Sequence, residues 1–379
     1  MNISFNIPEK LIDKVEILLE RIPYLSESIT GMTYSKDNYV VELSVNDYEI
    51  NSRDMVELKE SYQDLCKSLE NTRVLKERVI KSNLIPDNNK QRKSNKNNSE
   101  HSLYMDEYDV MLMEHLDKEF MKIAIKHGAE QREYPSVLNK SNMSRNQYHI
   151  HFPQNIYGVA SVPHKYKAIT NFRKNAQIES YVDSFVFQGE ILQPCICYHC
   201  YGELQGQSLL DGKLLTGKGK CFRHEIEWRK DNFRRNEFTM REIVYIGTAD
   251  SVLHTRNLIM EEVWSLFESL GLKGRISTAT DPFFFSQDLK TKGIYQMMSS
   301  AKYELLVTTL SGKEVSIASF NYCQDMLCSK YEIIGRDKAA LHSGCVAFGI
   351  DRWKEALKDT HGRDLKEWPE LDVRREMMF

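Results

Sequence analysis

Between Cys221 and Gly247 the chain carries two strand-forming runs around one polar turn. The first is Cys221-Phe222-Arg223-His224-Glu225. A loop with Arg234 and Arg235 follows, and then Glu237-Phe238-Thr239-Met240-Arg241-Glu242 leads into Ile243-Val244-Tyr245-Ile246-Gly247. Successive side chains of a strand point to opposite faces, so Arg223 and Glu225 share one face, and a hairpin sets the two runs side by side. Guanidinium groups on one sheet face suit a bidentate grip on phosphate oxygens, and Phe238 is placed to stack on a base. The same alternation also describes a plain Arg/Glu salt-bridge lattice on a solvated face.

The rest of the chain supplies more strands around that hairpin. Apolar and β-branched runs predict strands near 185–199, 220–227, 237–247, 302–309 and 313–322, with helices near 251–270, 285–301 and 350–358. A further amphipathic helix starts at Tyr104, passes through Met113, Leu116 and Phe120, and ends near Lys126 before Gly128. In the EYPSVL stretch (133–138), Pro135 confines any strand to an edge or a bulge. Strands outnumber helices without βαβ alternation, so the expected class is α+β, an antiparallel sheet flanked by helices.

Two other segments set the boundaries. Residues 1–82 read as a small α/β module: a short strand at Ile3, Phe5 and Ile7, a helix ending before Pro23, a strand at Val40–Val45, and a helix from Asn51 carrying Met55, Leu58, Tyr62, Leu65 and Leu69. That last helix is expected to pack on its own small sheet or across a dimer. Residues 83–102 are crowded with Asn, Lys and Ser and nearly free of apolar side chains, the composition of a flexible linker. The remainder, 103–379, is long enough for one large domain.

With 51 Lys+Arg against 54 Asp+Glu, the 379-residue chain has no overall basic field to collect nucleic acid. Its first 82 residues hold 11 Lys+Arg and 15 Asp+Glu, which opposes a phosphate backbone. No stretch approaches the ~20 apolar residues of a membrane span, and charges stand where a secretory signal would be apolar. The chain is therefore expected to be cytoplasmic, with its eight cysteines free, buried or bound to metal.

Read together, Pro194 with Cys197-Tyr198-His199, CFRHE, FTMREIVYIGT, DPFF (281–284), KYELLV (302–307), ASFNY (318–322) and HSGCVAFGIDR (342–352) resemble the amino acid:[carrier protein] ligases. These are class II aminoacyl-tRNA synthetase-like enzymes related to the atypical archaeal seryl-tRNA synthetase catalytic core. The likeness spans about residues 103–360. It implies a class II antiparallel sheet, ATP-dependent activation of a small amino acid such as glycine, alanine or serine as an aminoacyl-adenylate, and transfer to the phosphopantetheine thiol of a carrier protein. By this resemblance Arg223 grips the α-phosphate, Glu225 serves the adenine or amine-side network, and Arg234 meets the γ-phosphate. Phe238 and Arg352 sandwich adenine, and Glu304 and Glu314 hold Mg²⁺. Family practice also implies a homodimer.

The resemblance places a catalytic zinc on Cys197, Glu242 and Cys345, with a fourth position open for the substrate amine. A rival reading of CICYHC (195–200) builds a zinc site from Cys195, His199 and Cys200, and a third leaves the cysteines simply buried. Cys66, Cys221, Cys323 and Cys328 are read as structural; Cys323 stands where the family pattern suggests histidine. The carrier is expected to dock on 285–301, where Lys290 and Lys292 could face an acidic helix. Seryl-tRNA synthetase-type aminoacylation of tRNA and a non-catalytic synthetase-like binding protein are the alternatives.

Overall fold

The computed structural model describes residues 1–46, 52–72, 75–84, 104–281, 283 and 285–364. In the N-terminal module, strands β1 (Asn2–Asn6), β2 (Ile29–Ser35) and β3 (Val40–Val45) form a sheet of order β1-β3-β2. Leu11 and Leu18 from the first helical segments meet Val41 and Leu43 of β3. The Ser52–Glu70 helix brings Leu58, Tyr62 and Leu69 into the same core, so it packs on its own module.

The predicted end of that module, at Ser82, is corrected by the sheet pairing. Strand β4 (Val79–Ser82) is the edge of the large sheet, antiparallel to β11. Asn83 extends the join: its amide donates to the Leu272 carbonyl (3.0 Å) and accepts from the Gly274 N–H (2.9 Å). The expected linker otherwise lies outside the described residues.

The remaining strands are β5 (Glu130–Arg132), β6 (Val137–Leu138), β7 (Gly158–Ser161), β8 (Val186–Leu192), β9 (Lys213–Phe222), β10 (Glu237–Gly247), β11 (Gly274–Thr278), β12 (Lys302–Thr308), β13 (Glu314–Gln324) and β14 (His342–Gly349). Eight of the fourteen form one sheet in the order β4-β11-β12-β13-β14-β10-β9-β5. All its pairs are antiparallel except β5 with β9. A second sheet, β6-β8-β7, stands beside it. Pro135 falls between β5 and β6, where it interrupts no ladder.

The helices Glu107–Lys126, Ala249–Ser269 and Ile350–His361 cover one face of the large sheet. Phe120, Phe267 and Trp353 meet Ile243, Phe320 and Phe348 there. Two of the three are capped by side chains, the first by Asp106 and the second by Thr248. Period two then sorts β10. Ile243 and Tyr245 face the helices, as does Arg241, whose guanidinium grips Asp117 of the first helix at 2.6 and 3.0 Å. Met240, Glu242, Val244 and Ile246 are left for the opposite face. Among the described residues no helix is long and apolar enough to cross a membrane.

Candidate active site

The face opposite the helices carries two transverse rows of side chains, fixed by strand register. Glu304 of β12 pairs with Ser319, Ser319 with Ala347, Ala347 with Glu242, and Glu242 with Gly217. Two residues along, Lys302 pairs with Asn321, Asn321 with Cys345, and Cys345 with Val244. Small residues separate the two carboxylates of the first row, which leaves a trough across the sheet.

The wall of that trough is the Gln193–Cys197 segment. A strand was expected through 199, but β8 ends at Leu192 and Cys197 begins a helix, Cys197–Glu203. The physical reason is a cap from another strand: the Glu242 carboxylate accepts the N–H groups of Ile196 (3.1 Å) and Cys197 (3.0 Å). The segment lies close on β9 because Gly217 and Gly219 have no side chain. A Cβ on either would come within 3.0 Å of Ile196. The signal was present in the sequence as two glycines inside a strand-forming run.

Of the expected zinc set, Cys197 and Glu242 come together, with Cys195 in place of Cys345. The ligand atoms of Cys195, Cys197 and Glu242 all lie within 4.8 Å of one another; the Cys345 thiol acts on Cys197 but lies outside that group. Cys195 and Cys197 are 3.5 Å apart at sulfur, so the structure brings in a thiol that the resemblance did not include. The rival set does not assemble. His199 stacks on Tyr134 and is hydrogen-bonded to the backbone at Pro135, while the Cys200 thiol turns to Tyr134. The neighbouring thiols and burial hold Cys197 well above the usual thiol range, and burial raises Glu242 despite its two N–H donors. Two soft thiols and a carboxylate set this close together are a donor set that a divalent cation would stabilise.

The residues expected to meet ATP lie near this cluster. β9 ends at Phe222, one residue short of Arg223, so Arg223 and Glu225 leave the expected strand and follow the loop. Arg223 lies over the Phe238 ring at 5.2 Å, and one of its N–H groups reaches the Pro194 carbonyl at 3.3 Å. Its Nε is buried without a hydrogen-bond partner among the described residues, so the guanidinium has unspent donors. Arg234 pairs with Glu225 at 3.2 Å. Arg352 is fixed by the carbonyls of Phe233 (2.8 Å) and Ser316 (2.9 Å), and the charges of Arg223, Arg234 and Glu304 all act on it. Glu314 does not join them: Arg275 holds its carboxylate in a fork at 2.7 and 2.8 Å.

Two features had no sequence assignment. Asp281 accepts from Lys302 (2.6 Å) and Gln296 (2.7 Å). Burial would raise its pKa, yet Lys302, Gln296 and Arg223 hold it below the usual carboxylate range. An aromatic row, Phe283–Phe152–Tyr148–Tyr198, leads from there to Cys197, with ring centroids 5.3, 5.1 and 6.1 Å apart. The expected 285–301 helix is broken into Ser286–Asp288, a π turn Leu289–Gly293 and Ile294–Met298. Gly293 sits at the break, where a Cβ would come within 2.8 Å of Leu289. Lys292 is turned inward to the His151 ring (2.5 Å) and Asp288 (3.8 Å).

No family model matches the chain. It is 30% identical over 255 residues to amino acid–[acyl-carrier-protein] ligase 1 of Bradyrhizobium diazoefficiens, a match covering 64% of this chain and 74% of that protein. Ligase 2 of the same organism is 32% identical over 250 residues, covering 64% and 73%. The chain belongs to the amino acid–[acyl-carrier-protein] ligase family. Beyond this ligase family, the type-2 serine–tRNA ligase of Methanopyrus kandleri is 23% identical over 274 residues, covering 67% of this chain and 52% of that protein. The crystal structure of M. kandleri SerRS in complex with A. aeolicus tRNASec superposes with a TM-score of 0.69 at 18% identity, over 94% of this chain and 75% of that one. Seryl-tRNA synthetase from Pyrococcus horikoshii complexed with ATP gives 0.52 at 17% identity, over 68% and 53%. The ligase therefore has the class II synthetase fold, as its sequence motifs led one to expect.

Proposed function

We propose that the chain activates a small amino acid with ATP and passes it to the phosphopantetheine thiol of a carrier protein. The observation that carries the reading is the clustering of Cys195, Cys197 and Glu242 beside Arg223, which bonds the Pro194 carbonyl at the start of the same segment. In the first step the amino acid carboxylate oxygen bonds to the α-phosphorus and pyrophosphate leaves. Arg223, with donors unspent, holds the α-phosphate and offsets the charge that builds there. Arg234 exchanges its Glu225 partner for the γ-phosphate, and Phe238 with Arg352 encloses adenine. Glu304, in the trough, serves Mg²⁺, which takes carboxylate, phosphate and water oxygens.

Cys197, Glu242 and Cys345 would hold zinc, and the bound ion would supply a coordination position for the substrate amine. The protein's own part is to fix that amine so that the carboxylate meets the phosphate in line. In the second step the carrier thiol attacks the acyl carbonyl, a thioester forms and AMP leaves. We place the carrier near 285–301, beside the cleft, and the active species as a homodimer in the cytoplasm. The test is a screen of the twenty amino acids by pyrophosphate exchange, followed by mass spectrometry of candidate carriers. Exchange with a small amino acid and a mass gain on the carrier support the reading; a charged tRNA with an unmodified carrier overturns it.

A further inference from the structure

The N-terminal module touches the catalytic domain at two places near the candidate site residues. Trp228, from the loop between β9 and β10, packs into the module's core, and Arg229 donates to the Glu20 carbonyl at 3.3 Å. Arg21, at the end of the Val15–Arg21 helix, reaches the other. Its guanidinium donates to the Phe283 carbonyl and to the Ser286 hydroxyl, both at 2.9 Å, and Ser286 is also bonded to Ser68 of the module at 2.9 Å. Arg21 is only 6% exposed. A guanidinium that dry is costly unless its donors are used, so this is an anchored contact rather than a surface encounter.

What Arg21 anchors is the head of the aromatic row. Phe283 stacks on Phe152, Phe152 on Tyr148, and Tyr148 meets the edge of Tyr198, which follows Cys197. Phe283 also donates its N–H to the Asp281 carbonyl at 2.8 Å, and the Asp281 charge acts on both Tyr148 and Tyr198. The row borders the site on both sides: Tyr198 adjoins Cys197 in the chain and feels the Cys195 and Cys197 thiols, and Tyr148 feels the Arg223 charge. Of the residues proposed for the nucleotide, Phe238 lies on β10, Arg352 on the Ile350–His361 helix and Arg223 one residue beyond β9, whereas the Arg21 bonds go to Phe283 and Ser286.

We propose that Arg21 is a positioning residue for the amino acid end of the site: the N-terminal module fixes Phe283, and through it the aromatic wall beside Cys197. The inference rests on the proposed adenylation. It assigns the module a task in substrate placement, distinct from tRNA binding and from simple stabilisation. A displaced wall costs amino acid binding first, because small errors of alignment are expensive at a reacting centre.

The test compares the full-length wild type with Arg21→Ala, Arg21→Lys and Phe283→Ala in pyrophosphate exchange and in hydrogen exchange read by mass spectrometry. Arg21→Ala is expected to raise the amino acid KM about tenfold while the ATP KM stays within about twofold. Arg21→Lys, which can still donate to one acceptor, recovers part of the loss. Phe283→Ala, made on the other side of the contact, gives the same split if Arg21→Ala fails to fold. Amide exchange at 148–152 and 285–288 should quicken at least about tenfold, with β9 and β10 unchanged. An unchanged amino acid KM, or a parallel rise in both constants with exchange quickened throughout the sheet, overturns the proposal. If the wild type shows no amino acid-dependent exchange, the proposed function fails, and the hydrogen-exchange comparison alone decides whether Arg21 holds the wall.

Discussion

Glu242 caps the helix that begins at Cys197: its carboxylate accepts the Cys197 N–H at 3.0 Å and the Ile196 N–H at 3.1 Å. One side chain of β10 thereby orients both itself and a thiol from a distant segment. Glu242→Gln keeps an acceptor oxygen but forfeits the negative charge. Expected is a protein that folds, with zinc content by metal analysis reduced at least about tenfold, in line with the cost of disturbing a metal site.

Cys197→Ala and Cys345→Ala each remove a thiol from the proposed zinc set. Both variants should lose zinc and amino acid-dependent pyrophosphate exchange together. A zinc-free variant with full exchange would remove the metal from the proposed chemistry.

Among the described residues the Arg223 guanidinium makes one hydrogen bond, at 3.3 Å to the Pro194 carbonyl, and packs over Phe238. Arg223→Ala should therefore lower exchange by ~10²-fold or more, the usual effect of deleting a group that meets charge in the transition state. Its thermal midpoint should move by no more than a few degrees. Retained exchange contradicts the α-phosphate role.

Asp117 and Arg241 form a fork under the first long helix, 13% and 2% exposed at the side chain. Burial would raise the Asp117 pKa, but Arg241 and Lys218 hold it below the usual carboxylate range. A depressed folded pKa contributes stability above the unfolded value, near 4, and loses it as pH falls through the folded value. Asp117→Asn should cost about 3 kcal/mol at neutral pH, since Arg241 is left buried and unpaired. Denaturant titrations at pH 7 and pH 3 should find that cost smaller at the lower pH.

Asn83 closes the join between β4 and β11 with two bonds that mimic a peptide group. Asn83→Ala should destabilise the chain by about 1–2 kcal/mol in chemical denaturation. An unchanged midpoint would show that the edge strand is held by its own ladder alone.

The sequence by itself determined the class of sheet, because alternation, turn residues and helical spacing are local and show in β10, β12, β13 and the three long helices. It also placed Glu242 and Cys345 on strands, where period two gives each a face, although Arg223, expected on a strand, stands in the loop beyond β9. The tertiary structure decided what those residues meet. Cys197 opens a helix because a carboxylate from β10 caps it, and two glycines of β9 let that segment lie close; neither fact is local to Cys197. Glu314, as acidic as Glu304, is taken by Arg275, and Lys292 turns inward to His151. Arg21 lies 262 positions from the Phe283 carbonyl it holds. Periodicity reports which way a side chain points along its own element, whereas partners so distant in the chain are set by how elements pack, and no pattern within a window of sequence contains that.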